Sequence, residues 1–232
     1  MPTKKAGAEA SPVARLKRAV RTSSGPAPKA PAPRRTRVGD SETRDRLLNA
    51  AEQLMREEGY AAITTRRLGA KAGVHPQLVH YYFSGMDNLF LELWRRFTGH
   101  YLARQAQAFL SPNPVRTVWE HDTDPHDASL AAELMALARH RKVLGDEIAN
   151  SVEKFRTMQA SALSTVMDDF GLREVFGSPE ALALCMVGLA RILVVEEELG
   201  ISGGHAEARA AIARWLDRVE DRVETTKRVP GR

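Results

Sequence analysis

The sequence has a single cysteine, Cys185, in 232 residues. It therefore has no disulfide framework, no cysteine-rich zinc site and no CxxC redox pair. It lacks a secretory leader, because Met1–Ala10 is not followed by an apolar core of the necessary length. A spanning segment is missing too. The longest apolar run, 181–195, is fifteen residues with Arg191 inside it, too short for a hydrocarbon layer roughly 30 Å thick. It reads as a buried helix with Cys185 as a small buried hydrophobe, and a cytoplasmic protein is expected. Gly-rich phosphate loops, HExxH and GxSxG are all absent. Catalysis has no footing, and no cofactor is expected. There is no run of β-branched alternation and no internal repeat.

What is present is an uneven charge. Residues 1–40 hold ten Lys/Arg, two acidic groups, six of the twelve prolines and no Phe, Tyr or Trp; the remaining 192 residues carry 24 basic and 27 acidic groups. The first 40 have too little apolar surface to offset the entropy of ordering, and read as a disordered basic arm. The rest is long enough for one sizeable core or two modest ones.

Beyond Asp40 the periodicity is helical. Leu47, Ala51, Leu54 and Met55 define a helix over 43–58 closed by Gly59. A short helix fits 65–72, with Thr64 or Thr65 at its N-cap and Gly73 as its stop. A third starts at Pro76, with His75 beside the cap, and ends near Phe83. Ser84-Gly-Met-Asp87 has capping-box spacing and opens a fourth helix to Phe109, striped by Leu89, Leu93 or Trp94, Phe97 and Tyr101. After Ser111-Pro-Asn-Pro114 come a short apolar piece, 115–119, and a polar loop, 121–127. Further helices fit 129–139, 143–170 (Ile148, Val152, Phe155, Ala162, Val166 and Phe170 on one face), 179–199 and 205–223 (Ala208, Ile212, Trp215, Val219 and Val223). The expected fold is all-α with about nine helices. It comprises the arm (1–40), a three-helix head with a helix-turn-helix (41–88), a helical body (89–224) and a disordered tail (225–232).

The head is organised as a helix-turn-helix. Ala70 and Ala72 are small enough for a close crossing, Gly73 suits a positive φ, and Val74 plugs the angle. Val79 and Phe83 form the inward pair of the third helix. Outward, Gln77 suits a bidentate bond to adenine and Leu78 a thymine methyl. His80 and Tyr81 suit phosphates, Thr65 supports the anion-binding first turn, and Arg66 and Arg67 add charge. Arg34, Arg35 and Arg37 lie where a flexible segment follows the backbone or enters a minor groove. The bland alternative is a generic three-helix motif with a solubilising tail. Residues 41–96 carry eight basic and seven acidic groups, so one head binds weakly and two on a symmetric dimer are needed.

In the body, the apolar 179–199 helix needs cover on every side. With the last helix it suggests a dimer surface through Met186, Leu189, Leu193, Ile212, Trp215 and Val219. Tyr101, Phe109, Trp119, Met135, Phe155, Met158 and Met167 suit an adaptable apolar cavity or an ordinary core. Of these, Tyr101, Trp119, Met135, Phe155 and Met158 are the candidate effector contacts. The segment His121-Asp-Thr-Asp-Pro-His-Asp127 has two imidazoles and three carboxylates, a composition compatible with a divalent metal, but reads as a solvated turn capping the next helix through Asp127; no metal is expected. Glu196-Glu-Glu198 reads as a solvated helix end.

Arg46-Leu-Leu-Asn-Ala-Ala51, Gly59-Tyr60, Thr64-Thr65, Leu68, Ala72-Gly-Val74, Val79, Tyr82-Phe83 and Leu89-Phe90 together resemble, without a gap, the N-terminal motif of the TetR family of bacterial transcriptional regulators. The resemblance covers 43–97 by motif and 98–223 by architecture. It implies a homodimeric regulator of a palindromic operator on double-stranded DNA, most simply a repressor released by a small, largely apolar effector. On that pattern Thr65 and Arg66 open the helix lying across the backbone, and His75, Pro76 and Gln77 begin the recognition helix. His80 and Tyr81 occupy its DNA-facing middle. The chain departs from the family at His75 (commonly serine), His80 (usually tyrosine) and Met86 (usually lysine). Compensation for the lysine would come from the arm and, less directly, from Arg95 or Arg96. The alternative is a dimeric helical sensor or interaction protein with weak or no specific DNA binding.

Overall fold

In the computed structural model, residues 38–228 other than Gly171 are described, and among them there is no strand. Arg34, Arg35 and Arg37 lie outside the described residues, as do the side chains of Val166, Phe170 and Val223. Ten helices follow in order: α1 (Val38–Glu58), a 3-10 turn (Tyr60–Ala62), α2 (Thr65–Ala72), α3 (Gln77–Phe83), α4 (Met86–Ala108), α5 (Pro114–Asp122), α6 (Pro125–Ala138), α7 (Lys142–Phe170), α8 (Arg173–Phe176), α9 (Pro179–Glu198) and α10 (His205–Arg228).

Boundaries follow local chemistry. Thr64, not Thr65, caps α2 by accepting from the Arg67 amide at 3.2 Å. Gly73 (φ 65) ends that helix in the left-handed region, which glycine enters without steric cost. The capping box expected at Ser84 does not form. Ser84 itself turns left-handed (φ 54) to close α3, and Gly85 starts α4 without a side-chain cap. The expected polar loop 121–127 is almost wholly helical: α5 runs through Asp122, and α6 begins at Pro125 behind Asp124, whose carboxylate accepts from the His126 amide at 3.0 Å. Asp124 is thus the cap assigned to Asp127, which instead pairs with Arg104. The four-residue α8 carries no periodic signal, and α10 continues to Arg228, into the stretch expected to fray.

One core joins head and body. Leu47, Ala51, Leu54 and Met55 of α1, Leu68 of α2, Val79 and Phe83 of α3 and Leu89, Phe90 and Leu93 of α4 pack with Leu130, Leu134 and Leu137 of α6 and Leu144 and Ile148 of α7. A second cluster gathers Val115, Trp119, Leu163, Met167, Leu182, Met186, Leu193, Leu216 and Val219. The head therefore rests on α6 and the start of α7 as well as on α4. Glu133 of α6 adds a polar tie, accepting from the Tyr60 amide at 2.8 Å. The acidic end of α9 is paired rather than merely solvated, through Glu196 with His205 and Glu197 with Arg209, each at 2.8 Å.

Candidate nucleic-acid interface and body cavity

The helix-turn-helix closes through a glycine that sequence reasoning passed over. A β-carbon at Gly69 would stand 2.8 Å from the Val74 carbonyl oxygen and 3.0 Å from Pro76 Cα. Gly69 therefore sets the close approach assigned to Ala70 and Ala72; Ala70 is exposed and only Ala72 is buried. Arg46 of α1 clasps the turn by donating to the Ala72 and Gly73 carbonyls. Val79 and Phe83 face inward, at 0% and 2% exposure. Arg66, His75, Gln77, His80 and Tyr81 are exposed, Tyr81 to 70%, while Thr65, Pro76 and Leu78 are half-buried. The outer edge of α3 is thus open rather than packed against the body. Tyr82 is turned away from that edge, its hydroxyl bonded to Asp40 at 3.2 Å.

The surrounding cations are largely committed to carboxylates of the same chain. Arg67 pairs with Glu58, and Lys71 with Glu57 at 2.6 Å. Arg95 donates to Glu147 at 2.9 Å and Arg96 to Glu52 at 2.6 Å. Both arginines are therefore paired within the chain. Arg66 has no carboxylate partner among the described residues. Met86 packs half-buried against the head core.

Residues 47–93 match the family model described as bacterial regulatory proteins, tetR family. The match is confined to the head. No curated protein matches the chain. Among solved structures it is similar to a TetR-family transcriptional regulator from a Rhodococcus species, with 19% identity over 77% of this chain and 99% of that one and a TM-score of 0.59. It is also similar to a transcriptional regulator from Saccharomonospora viridis in complex with choline, with 17% identity, 80% and 95% coverage and a TM-score of 0.58. A regulator from Pseudomonas aeruginosa PAO1 gives 18%, 82% and 96%, and 0.57. At these identities the likeness is one of fold. The head thus matches the family by its model, and the whole chain shares its fold with these structures.

Behind the head, the body encloses a cavity of about 180 Å³ between α4, α5, α6, α7 and α9. Of the five expected effector contacts, Tyr101, Met135 and Phe155 line it. Trp119 is absorbed into the second core cluster, and Met158 packs on Ala108, Phe109, Val118 and Ala162. The aromatic wall also includes Trp94 and Phe97. Tyr101 sits 6.1 Å from Phe97 in a stacked pair and 5.3 Å from Phe155 edge-on.

The cavity's polar groups were missed. Asp122, His121, Asp127, Gln159, Arg156 and Arg191 all line it. The Asp122 Oδ1 accepts from the Tyr101 hydroxyl at 2.6 Å and from Gln105 Nε2 at 3.0 Å. Its Oδ2 is buried without a partner, as is His121 Nδ1. Burial raises the Asp122 carboxyl to about 6, against the pull of the Tyr101 hydroxyl and nearby Arg191. Burial likewise pushes the Tyr101 phenol well above its ordinary value and, with Arg104, lowers His121. Arg191 Nη1 lies 3.3 Å from the Met135 sulfur. Asp122 ends α5 while its donors Tyr101 and Gln105 stand on α4, and this separation hides the pairing in the sequence.

Of the residues expected at a dimer surface, Met186, Leu193 and Val219 are buried in the chain's own second core. Leu189, Ile212 and Trp215 are half-buried. The open face of α9 is instead Leu184, Cys185, Gly188 and Ile192, with Leu184 at 53% and Ile192 at 47% exposure. Cys185, expected to be buried, is exposed. A helix apolar nearly all round gives no phase for locating its covered side, and this is why the sequence misplaced it. Among the described residues there is no His/Cys/Asp/Glu cluster able to hold a metal ion, and no helix long and apolar enough to cross a membrane.

Proposed function

We propose that the chain is a homodimeric, ligand-responsive repressor, whose two heads read a palindromic operator and are released when a small molecule enters the body cavity. One arrangement carries this reading. Helices α4 and α6 each serve both places. In α4, Leu89, Phe90 and Leu93 belong to the head core while Trp94, Phe97 and Tyr101 line the cavity. In α6, Leu130, Leu134 and Leu137 belong to the head core while Ala128, Ala131 and Met135 line the cavity. A ligand that pushes α4 and α6 apart moves the surface on which the head rests. Tight packing converts such a shift into a rigid displacement rather than absorbing it. An operator fixed in half-site spacing tolerates only one head separation, so the ligand-bound form loses affinity by population shift.

Base contact falls to Gln77 and Leu78, with Thr65, Arg66, His75, Pro76, His80 and Tyr81 positioning the helix on the backbone. Arg34, Arg35 and Arg37 supply the charge that the head's internal ion pairs withhold. The partner copy covers Leu184, Gly188 and Ile192 of α9 together with Leu189, Ile212 and Trp215.

The test is selection of bound sequences from a random duplex pool at two salt concentrations, with full-length protein and with residues 1–37 removed. A palindromic motif is expected, with a weaker salt dependence for the shortened chain because fewer counterions are released. Absence of any enriched motif would favour the second reading, a dimeric sensor without specific DNA binding. That reading is favoured by Met86 and by the pairing of Arg67 and Lys71 with α1 carboxylates.

A further inference from the structure

We infer that the cavity is built for an organic ammonium of about one-ring size, its N–H donated to the Asp122 carboxylate, whose Oδ2 has no partner, and its apolar body laid against Trp94, Phe97, Tyr101 and Phe155. The inference rests on the proposed effector role of that cavity and specifies the chemical class of occupant.

Three observations lead there. Asp122 is deeply buried and lines the cavity, yet only Oδ1 is used, by Tyr101 and Gln105. A buried carboxylate oxygen without a donor is costly, and a charged N–H is the donor that relieves it best. The wall beside it is aromatic on α4 and α7, and aromatic rings within about 6 Å attract a cation while an apolar ring packs on the rest. The volume is about 180 Å³, whereas roughly 150 Å³ is enough to hold one benzene ring. The other charges facing Asp122 do not satisfy it. Arg104 of α4 is held by Asp124 and Asp127 of α6, and Arg191 of α9 rests on the Met135 sulfur rather than on Asp122.

Two rival occupants have their own basis. Arg191 lines the same cavity and suits an anion. A void of about 20 Å³ that Asp122 also borders has room for a single water. The experiment separates all three. Calorimetric titration of the full-length protein with 2-phenylethylamine, 2-phenylethanol and phenylacetate compares cation, neutral and anion on one ring. The amine is expected to bind about tenfold or more tighter than the alcohol at neutral pH. Asp122→Asn should erase that difference and leave the alcohol within about twofold. Lowering the pH from about 7 to about 5 should cost the amine about tenfold as Asp122 takes up a proton. This loss should persist in His121→Gln and vanish in Asp122→Asn. His121 would gain charge over the same range, so its variant is needed to assign the effect.

Equal affinities for amine and alcohol, an equal response of both to Asp122→Asn, preference for phenylacetate, or no binding by a protein of unchanged circular dichroism would each overturn the inference. Operator release is read separately by fluorescence anisotropy of a labelled duplex. An amine that binds through Asp122 without releasing DNA upholds the ligand class and refutes the repressor mechanism. Release by neutral or anionic compounds alone does the reverse.

Discussion

Replacing Asp122 by asparagine should make the empty protein more stable at neutral pH, and the reason lies in the burial of that carboxylate. Its proton affinity rises from the ordinary 3.8 to about 6, a change worth about 3 kcal/mol between the ionised and neutral forms. The sign is set by which state holds the proton. Between pH 3.8 and about 6 the folded chain keeps a proton that the unfolded chain has released, so stability falls as the pH rises through that window. Above it the full penalty is present; below 3.8 it is gone. Asparagine reproduces the neutral acid, keeping an acceptor for Tyr101 and Gln105 and placing a donor where Oδ2 stands. Urea denaturation at matched protein concentration should therefore show Asp122→Asn more stable than the parent by about 2–3 kcal/mol near pH 7.5 and within about 0.5 kcal/mol near pH 4. A variant less stable than the parent near neutrality, or a gain of the same size at both pH values, would refute the argument. The first result would mean that Asp122 is satisfied in the empty protein by something other than Tyr101 and Gln105, and the second that the gain does not come from its ionisation.

Gln77→Ala should weaken operator binding by about 1–3 kcal/mol at the base it reads and relax the preference there, measured by competition with single-base variants. Arg66→Ala should weaken binding to all duplexes alike and lower the salt slope by about one, since it removes a phosphate contact rather than a base contact. Glu133→Ala leaves the Tyr60 amide without its acceptor; it should loosen the tie between α6 and the head and reduce ligand-induced DNA release several-fold, with a stability loss of about 1–3 kcal/mol. Ile192→Glu should break the proposed α9 contact, shifting sedimentation to the monomer; Cys185, protected in the parent dimer, should then react readily with a thiol reagent.

Much of the head was legible because its determinants are local. The Gly73 stop, the inward Val79–Phe83 pair and the outward Gln77, His80 and Tyr81 all follow from spacing within one or two turns, and the structure places them so. Helix existence in the body was equally local, while its boundaries failed where two signals competed. Asp and Pro in 121–127 read as a loop, yet Asp124 and Pro125 form a helix start, so α5 and α6 nearly touch in sequence.

The amino-acid order by itself determined that the described residues fold as helices without strands, that the arm is basic, and that α3 offers a polar edge, since each depends on neighbours within a few residues. Tertiary structure decided the rest: which side of α9 is covered, that Gly69 rather than Ala70 is the point of closest approach, and that Glu133 ties the body to Tyr60. It also decided that Asp122, Tyr101 and Arg191 share one cavity. These outcomes depend on groups from different helices meeting, and helical periodicity gives the phase of each face but not the identity of what will lie against it.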